Sequence, residues 1–347
     1  MPTSNIVSLP LASAASLPSN AWHCLQLDGQ HLEVLDSDTA KQRSAASSVA
    51  LDNRGLAYAD GFFTTMGVVD GQILWQQQHR QRLLSHAKAL QLDIDCPALM
   101  SRLSAYGQQL QQGMLKLIVT RSTQAVRGYG YAPDAAGRTC DVWLKVAAMP
   151  VKTAEQITLP DGRMMPRQPN CAAFCLSAKI ACLPPPLAGL KSLNRLDNVL
   201  ASGELQRYKA QWLNAQPVPN PAQPEIGEGL LRDMSGHWVE GTMSNVFYQL
   251  AESPPPVSTS SDNDQTQANY LTTGQWYTPS MAQSGVAGVM RQVIIDALAN
   301  TERPVVMRSL HDEELPRITR LFFCNALRGV MPMSSLTLLS GEVVEFN

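Results

Sequence analysis

The stretch Met66-Gly-Val-Val-Asp-Gly-Gln-Ile-Leu-Trp75 constrains the fold of this chain more than any other. Two apolar runs flank Asp70-Gly71, a dipeptide that accepts positive φ at both central positions of a type I′ turn. That predicts a tight antiparallel hairpin in the first half of the chain. Strand-length runs at His31–Leu35, Met114–Thr120 and Val142–Ala147 agree with a sheet there. Between them the apolar spacing becomes helical, predicting helices over about 78–90 and 97–112. The second half offers strand-like segments at Ile157–Leu159, Trp238–Gly241, Ser244–Tyr248 and Leu321–Asn325. Helices are expected from just after Lys191 to about Trp212 and from about Met290 to Asn300. The fold class expected is therefore α/β, of the α+β kind. At 347 residues the chain exceeds what one core usually serves. Pro150 marks the expected boundary between a smaller α+β N-terminal domain (21–149) and a larger C-terminal domain (150–347). Residues 1–20 are Ser/Ala/Pro-rich and read as a flexible tail, and 252–269 as a disordered, polar surface insertion.

The formal net charge of −2 offers no basic surface for nucleic acid or an anionic membrane, so a small-molecule partner is expected. The seven cysteines, an odd number with no histidine cluster beside them, support neither a disulfide framework nor a zinc site. A reducing cytoplasm is the expected location. The segment 10–16 lacks the basic start of a signal peptide, and no run reaches the ~18 apolar residues of a membrane helix.

Four separated features carry chemistry. Lys191 follows Pro184-Pro185-Pro186 and Gly189 and precedes the spaced Leu193, Leu196 and Leu200, where a loop meets a helix start. A lysine partly desolvated there has a lowered pKa and serves as an amine nucleophile toward aldehydes. Glu240, in Trp238-Val-Glu-Gly-Thr-Met-Ser-Asn-Val-Phe-Tyr248, can sit beside a pyridine nitrogen and keep it protonated. Ser284-Gly-Val-Ala-Gly-Val-Met-Arg-Gln292 runs a glycine-bearing loop into a helix, whose free N–H groups at Val289 and Met290 suit a phosphate. Arg82, in His79-Arg-Gln-Arg-Leu83, offers a guanidinium fork to the same phosphate. Each alone is more often an ordinary surface or turn residue. Together they are what a phosphorylated pyridine aldehyde needs.

Through these segments, with Arg54-Gly-Leu-Ala-Tyr-Ala-Asp-Gly-Phe-Phe63 and Gly189-Leu-Lys-Ser-Leu-Asn-Arg-Leu196, the chain resembles the fold-type-IV pyridoxal-phosphate enzymes from about Leu51 to Met333. That family includes branched-chain and D-amino-acid aminotransferases and aminodeoxychorismate lyases. The resemblance implies a mixed, barrel-like sheet in the C-terminal domain and pyridoxal 5′-phosphate as cofactor. It implies covalent attachment at Lys191, Glu240 at the ring nitrogen, and Arg82, Val289 and Met290 on the phosphate. Asn245 and Asn325 would line the cofactor pocket. Lys191-Ser-Leu-Asn-Arg195, Arg127-Gly-Tyr-Gly130, Phe62-Phe-Thr-Thr65 and Cys324-Asn-Ala-Leu327 most resemble the lyases. Lys191 would then be the acid–base group that turns 4-amino-4-deoxychorismate into 4-aminobenzoate and pyruvate, a folate-pathway step. Arg127 and Arg195 are the candidate cations for the substrate's two carboxylates, and Thr64 a candidate substrate contact. A D-amino-acid or branched-chain aminotransferase is the alternative, and a non-catalytic cofactor- or metabolite-binding protein a further one. The resemblance also implies a homodimer.

Overall fold

In the computed structural model, which describes residues 23–27, 32–35, 49–151, 155–215, 224–251 and 270–346, the first sheet grows on the expected hairpin. It contains β1 (His23–Leu27), β2 (Leu32–Leu35), β3 (Gly61–Val69), β4 (Gln72–Ile73), β5 (Gly113–Arg121) and β6 (Cys140–Ala148). The order is β2-β1-β6-β5-β3-β4, antiparallel throughout. Asp70 and Gly71 have φ of 50° and 73° and join β3 to β4, with Val69 opposite Gln72. Three helices fall between the strands: α1 (Arg54–Tyr58), α2 (Gln76–Ala89) and α3 (Cys96–Leu110). Asp95 starts α3 by accepting the Ala98 N–H at 2.9 Å, with proline in the first turn where its missing N–H costs nothing.

Strand parity decides which side chains reach the site. Phe62, Thr64, Met66 and Val68 of β3 are buried, as are Leu115, Leu117 and Val119 of β5 and Leu144 and Val146 of β6. Their apolar members pack against α2 and α3 in the first core. Alternate residues point the other way, so Phe63, Thr65, Lys116, Ile118 and Trp143 share a half-buried opposite face. The buried stripe of α2 is His79, Arg82, Leu83, His86 and Ala87, helically spaced but half basic.

The second sheet uses β7 (Glu155–Thr158), β8 (Met164–Arg167), β9 (Cys171–Ile180), β10 (Ile226–Asp233), β11 (Trp238–Gly241), β12 (Asn245–Leu250), β13 (Tyr277–Thr278), β14 (Val306–Met307), β15 (Ile318–Asn325), β16 (Gly329–Thr337) and β17 (Val343–Glu345). Pairings β9-β10-β11-β12-β15-β16 return to β9, which closes six strands into a barrel. Two of those contacts, β9 with β10 and β9 with β16, are parallel. The α/β architecture with a mixed, barrel-like second sheet is thus as expected. Helix α4 (Leu196–Ala215) lies against β9 and β10 through Ala201 and Leu205, and α5 (Val289–Leu298) buries Val289, Met290, Val293 and Ile294. The tail over 1–20 and the insertion over 252–269 lie outside the described residues.

Candidate active site

The segment before α4 is stitched on both sides. Phe63 N–H donates to the Lys191 carbonyl at 3.0 Å and Leu193 N–H to that of Gly61 at 3.0 Å, adding a short antiparallel ladder to β3. On the other side Ala287 N–H donates to the Gly189 carbonyl at 2.9 Å, tying the segment to the loop that enters α5. Gly189 has a φ of 76°, which only glycine adopts without strain. Lys191 is thereby fixed between the two sheets, its Nζ 4.6 Å from the centre of the Phe63 ring. Its amide donates to His86 Nε2 at 2.9 Å.

Glu240, near the end of β11, is buried. Its Oε2 accepts the Val286 N–H at 2.8 Å, and Asn198 Nδ2 lies 3.4 Å from Oε1. Gly285, with φ of 75°, lets the loop pass this close, since a Cβ there would stand 2.9 Å from Oε2. Asn245 holds the same loop by donating from Nδ2 to the Val286 carbonyl at 2.8 Å. The N-cap of α5, Gly288, supplies no side-chain hydrogen bond. The first-turn N–H groups, those of Val289 and Met290 among them, have no acceptor within the helix. Arg82 is buried and donates from Nη2 to the Ala287 carbonyl at 2.6 Å, which aims its guanidinium at that helix start. Among the described residues no carboxylate pairs with it.

Burial, then the nearby Arg82, brings the Lys191 ammonium down to about 7, with Glu240 pulling the other way. Burial lifts the Glu240 carboxyl to about 7, against the Val286 N–H and the charges of Arg195 and Lys191. Lys191 is therefore poised between amine and ammonium near neutrality, as a nucleophile and proton carrier requires. Arg82, lowered by burial only to about 10, stays charged.

The sequence-derived residues divide. Lys191, Glu240, Arg82, Asn245, Val289 and Met290 come together. Arg195 joins them, donating to the Leu190 carbonyl and 3.5 Å from Ser192 Oγ, with its Nε buried and unpaired. Three others go elsewhere. Thr64 is fully enclosed and 2.8 Å from His79 Nδ1, because even-numbered β3 residues face the helices; Phe63, on the opposite face, meets Lys191 instead. Asn325 is a turn residue whose Oδ1 accepts the Leu327 and Arg328 N–H groups at 3.1 and 2.8 Å. Arg127 is exposed in the β5–β6 connection, and no described contact ties it to Lys191 or Glu240. The sequence alone does not pick out Phe63, His86, Asn198 or Lys116. Lys116 Nζ lies 5.0 Å from the centre of the same Phe63 ring. Only the two-residue alternation of β3 and β5 signals it.

A pyridine aldehyde phosphate fits this arrangement. Arg195 Nε and Asn198 Oδ1 are buried polar atoms without partners beside Lys191 and Glu240. Arg82 and the start of α5 converge where a phosphate would lie, and an extra methyl at Gly285 would narrow the cradle.

Residues 61–336 match the amino-transferase class IV family, to which the chain belongs. Aminodeoxychorismate lyase of Vibrio harveyi is 22% identical over 290 residues, covering 83% of this chain and 88% of that one. A putative branched-chain-amino-acid aminotransferase of Methanocaldococcus jannaschii is also 22% identical, over 295 residues, covering 83% and 82%. The crystal structure of 4-amino-4-deoxychorismate lyase from Pseudomonas aeruginosa superposes with a TM-score of 0.61 at 28% identity, covering 84% of this chain and 88% of that one.

Proposed function

We propose that this chain is a pyridoxal-phosphate-dependent lyase that converts 4-amino-4-deoxychorismate to 4-aminobenzoate and pyruvate. The observation that carries the proposal is geometric: Lys191 is tied to β3 and to the loop that enters α5, the same loop that Glu240 and Arg82 hold. Burial there lowers its ammonium to about 7. Lys191 would anchor the cofactor, Glu240 would meet its ring nitrogen, and Arg82 with the Val289 and Met290 N–H groups would take the phosphate. When bound there, the cofactor supplies an electron sink for the pair left by C4–H cleavage. Lys191 Nζ takes the C4 proton of the substrate. The C3–O bond breaks, the ring becomes aromatic, and Lys191 returns a proton to the departing enolpyruvate. Atoms and charge balance without a further reactant. Two cations, Arg195 and Lys116, approach Lys191 closely enough to lower its pKa, and they suit the two carboxylates of this substrate.

The same fold with the same lysine also serves amino transfer, so the assay must separate the two. With pyridoxal phosphate and 4-amino-4-deoxychorismate, chromatography should show 4-aminobenzoate and pyruvate in equal amounts. Lys191→Ala should abolish both turnover and the visible absorbance of the loaded protein. Brisk transfer from D-alanine or a branched-chain amino acid to 2-oxoglutarate, without 4-aminobenzoate, would reject the lyase reading. We place the protein in the cytoplasm, in keeping with the free thiols of Cys96, Cys140, Cys171, Cys175, Cys182 and Cys324. We also propose a homodimer, in keeping with the apolar residues exposed on α4.

A further inference from the structure

Arg82 and His86 stand one helical turn apart on the buried face of α2, and each reaches a different wall of the site. Arg82 grips the Ala287 carbonyl at 2.6 Å. His86 Nε2 accepts the Lys191 main-chain N–H at 2.9 Å. The walls are themselves joined, because Ala287 N–H donates to the Gly189 carbonyl, two residues before Lys191. The contacts form a closed ring: Lys191, His86, one turn of α2, Arg82, Ala287, Gly189 and back to Lys191.

The ring fixes the state of the imidazole. Because Nε2 accepts from Lys191, it carries no proton, so the proton of the neutral ring sits on Nδ1. Nδ1 lies 3.1 Å from Ser85 Oγ, and that hydroxyl donates to the Arg82 carbonyl at 3.0 Å. Every donor in this relay has one acceptor. The charged groups facing the imidazole are Arg82 from its own helix and Lys191 and Arg195 from the segment before α4, all cations. The edge of Phe62 on β3 covers the remaining side, with ring centres 5.4 Å apart. Burial and these three cations push the His86 pKa down to about 3, so it stays neutral and an acceptor at any working pH.

We infer that His86 is a positioning residue: a neutral acceptor that pins the Lys191 main chain to the Arg82 turn and holds the reactive amine in its desolvated place. Its hydrogen bond is to the Lys191 main chain and not to Nζ. Without it the Lys191 N–H loses its partner, and although the bonds to Phe63, Gly61 and Ala287 still hold the 189–193 segment, Lys191 itself loosens and Nζ can shift toward water. The ammonium would then rise toward the ordinary lysine range.

The inference rests on Lys191 being the reactive amine, and the test needs no cofactor. The full chain, freed of cofactor, is treated with trinitrobenzenesulfonate across a pH series, and labelling of the Lys191 peptide is read by mass spectrometry. His86→Gln keeps an acceptor near the position of Nε2, whereas His86→Leu fills the space without one. His86→Leu should move the half-point of Lys191 labelling up by about one unit, a roughly fivefold slower reaction at pH 7, where the wild-type amine is already half protonated. His86→Gln should keep the wild-type curve. If His86→Leu loses the wild-type circular dichroism, His86→Asn, whose amide is too short to reach, takes its place. An unmoved curve in the acceptor-free variant, or equal shifts in both variants, overturns the inference. Failure of the wild type to bind pyridoxal phosphate would instead reject the functional reading and leave this result standing.

Discussion

Lys191 and Glu240 are brought near neutrality by the same cause, burial, acting in opposite directions. Their consequences for stability therefore differ in sign. Folded Glu240 keeps its proton to about pH 7, whereas an ordinary glutamate loses it near 4.5. Between these values the folded state binds more protons, so stability falls as pH rises, and the loss persists above pH 7. For Lys191 the unfolded state binds more protons between about 7 and 10.5, and stability rises across that window. Glu240→Gln removes the first effect and also the carboxylate that holds the Lys191 pKa up, a change that matters little at pH 8, where the Lys191 amine is already mostly neutral. The cofactor-free variant should be more stable than wild type at pH 8 by on the order of 2 kcal/mol, with the difference gone below pH 4.5. Denaturant melts at the two pH values check this, and equal stabilities at pH 8 would contradict it. The same variant, loaded with cofactor, should turn over about a hundredfold more slowly. A residue kept at a cost to the fold and needed for the reaction is what a functional carboxylate looks like.

At the scale of elements, the entry to α5 is shaped by what it must pass. Gly288 has an ordinary φ of −69°, so its lack of a side chain answers a neighbour and not the backbone. A Cβ there would lie 1.9 Å from Asn245 Oδ1, the side chain whose amide holds Val286. Gly288→Ala should displace Asn245 and the helix start together and weaken pyridoxal-phosphate binding at least tenfold. Gly203→Ala on α4, where nothing stands within 4 Å, should leave binding unchanged and add a few tenths of a kcal/mol or more of stability. Spectroscopic titration with the cofactor and thermal melts separate the two, and wild-type affinity in Gly288→Ala would refute the steric account. The elements were legible wherever the signal is local. The hairpin at Asp70-Gly71 follows from turn chemistry, α5 from its glycine-led start, and Lys191, Glu240 and Arg82 from spaced motifs. What stayed hidden depends on parity and distance. Phe62-Phe-Thr-Thr65 is apolar and β-favouring on both faces, so nothing local says that Thr64 turns to His79 while Phe63 turns to Lys191. His86 reads as one more helix residue until α2 is laid across the segment before α4, 105 residues away in sequence. Asn325 and Arg127 were drawn in by motif, and only the turn at 325–329 and the exposed β5–β6 connection place them.

For the whole molecule, the question is what covers α4. Its inner stripe, through Ala201 and Leu205, meets the barrel. The leucine period that marks the helix in the sequence belongs to a different stripe: Leu196, Val199 and Leu200 are 67%, 61% and 65% exposed. Large apolar side chains at i, i+3 and i+4 on one exposed face are better explained by a partner than by solvent. A second copy of this chain is the partner we propose, since such a face repeats itself across a two-fold axis. The position matters for chemistry as well. Helix α4 begins one residue after Arg195 and carries Asn198, which faces Glu240. Covering Leu196, Val199 and Leu200 would steady the turn that holds both groups. Leu200→Glu is a substitution at an exposed position, so the monomer should fold with wild-type circular dichroism. Light scattering should show the wild type at twice the chain mass and Leu200→Glu at the single mass, with weaker cofactor retention at low protein concentration. A dimeric Leu200→Glu would move the interface elsewhere. A monomeric Leu200→Glu that keeps its cofactor as tightly as wild type would separate assembly from the site.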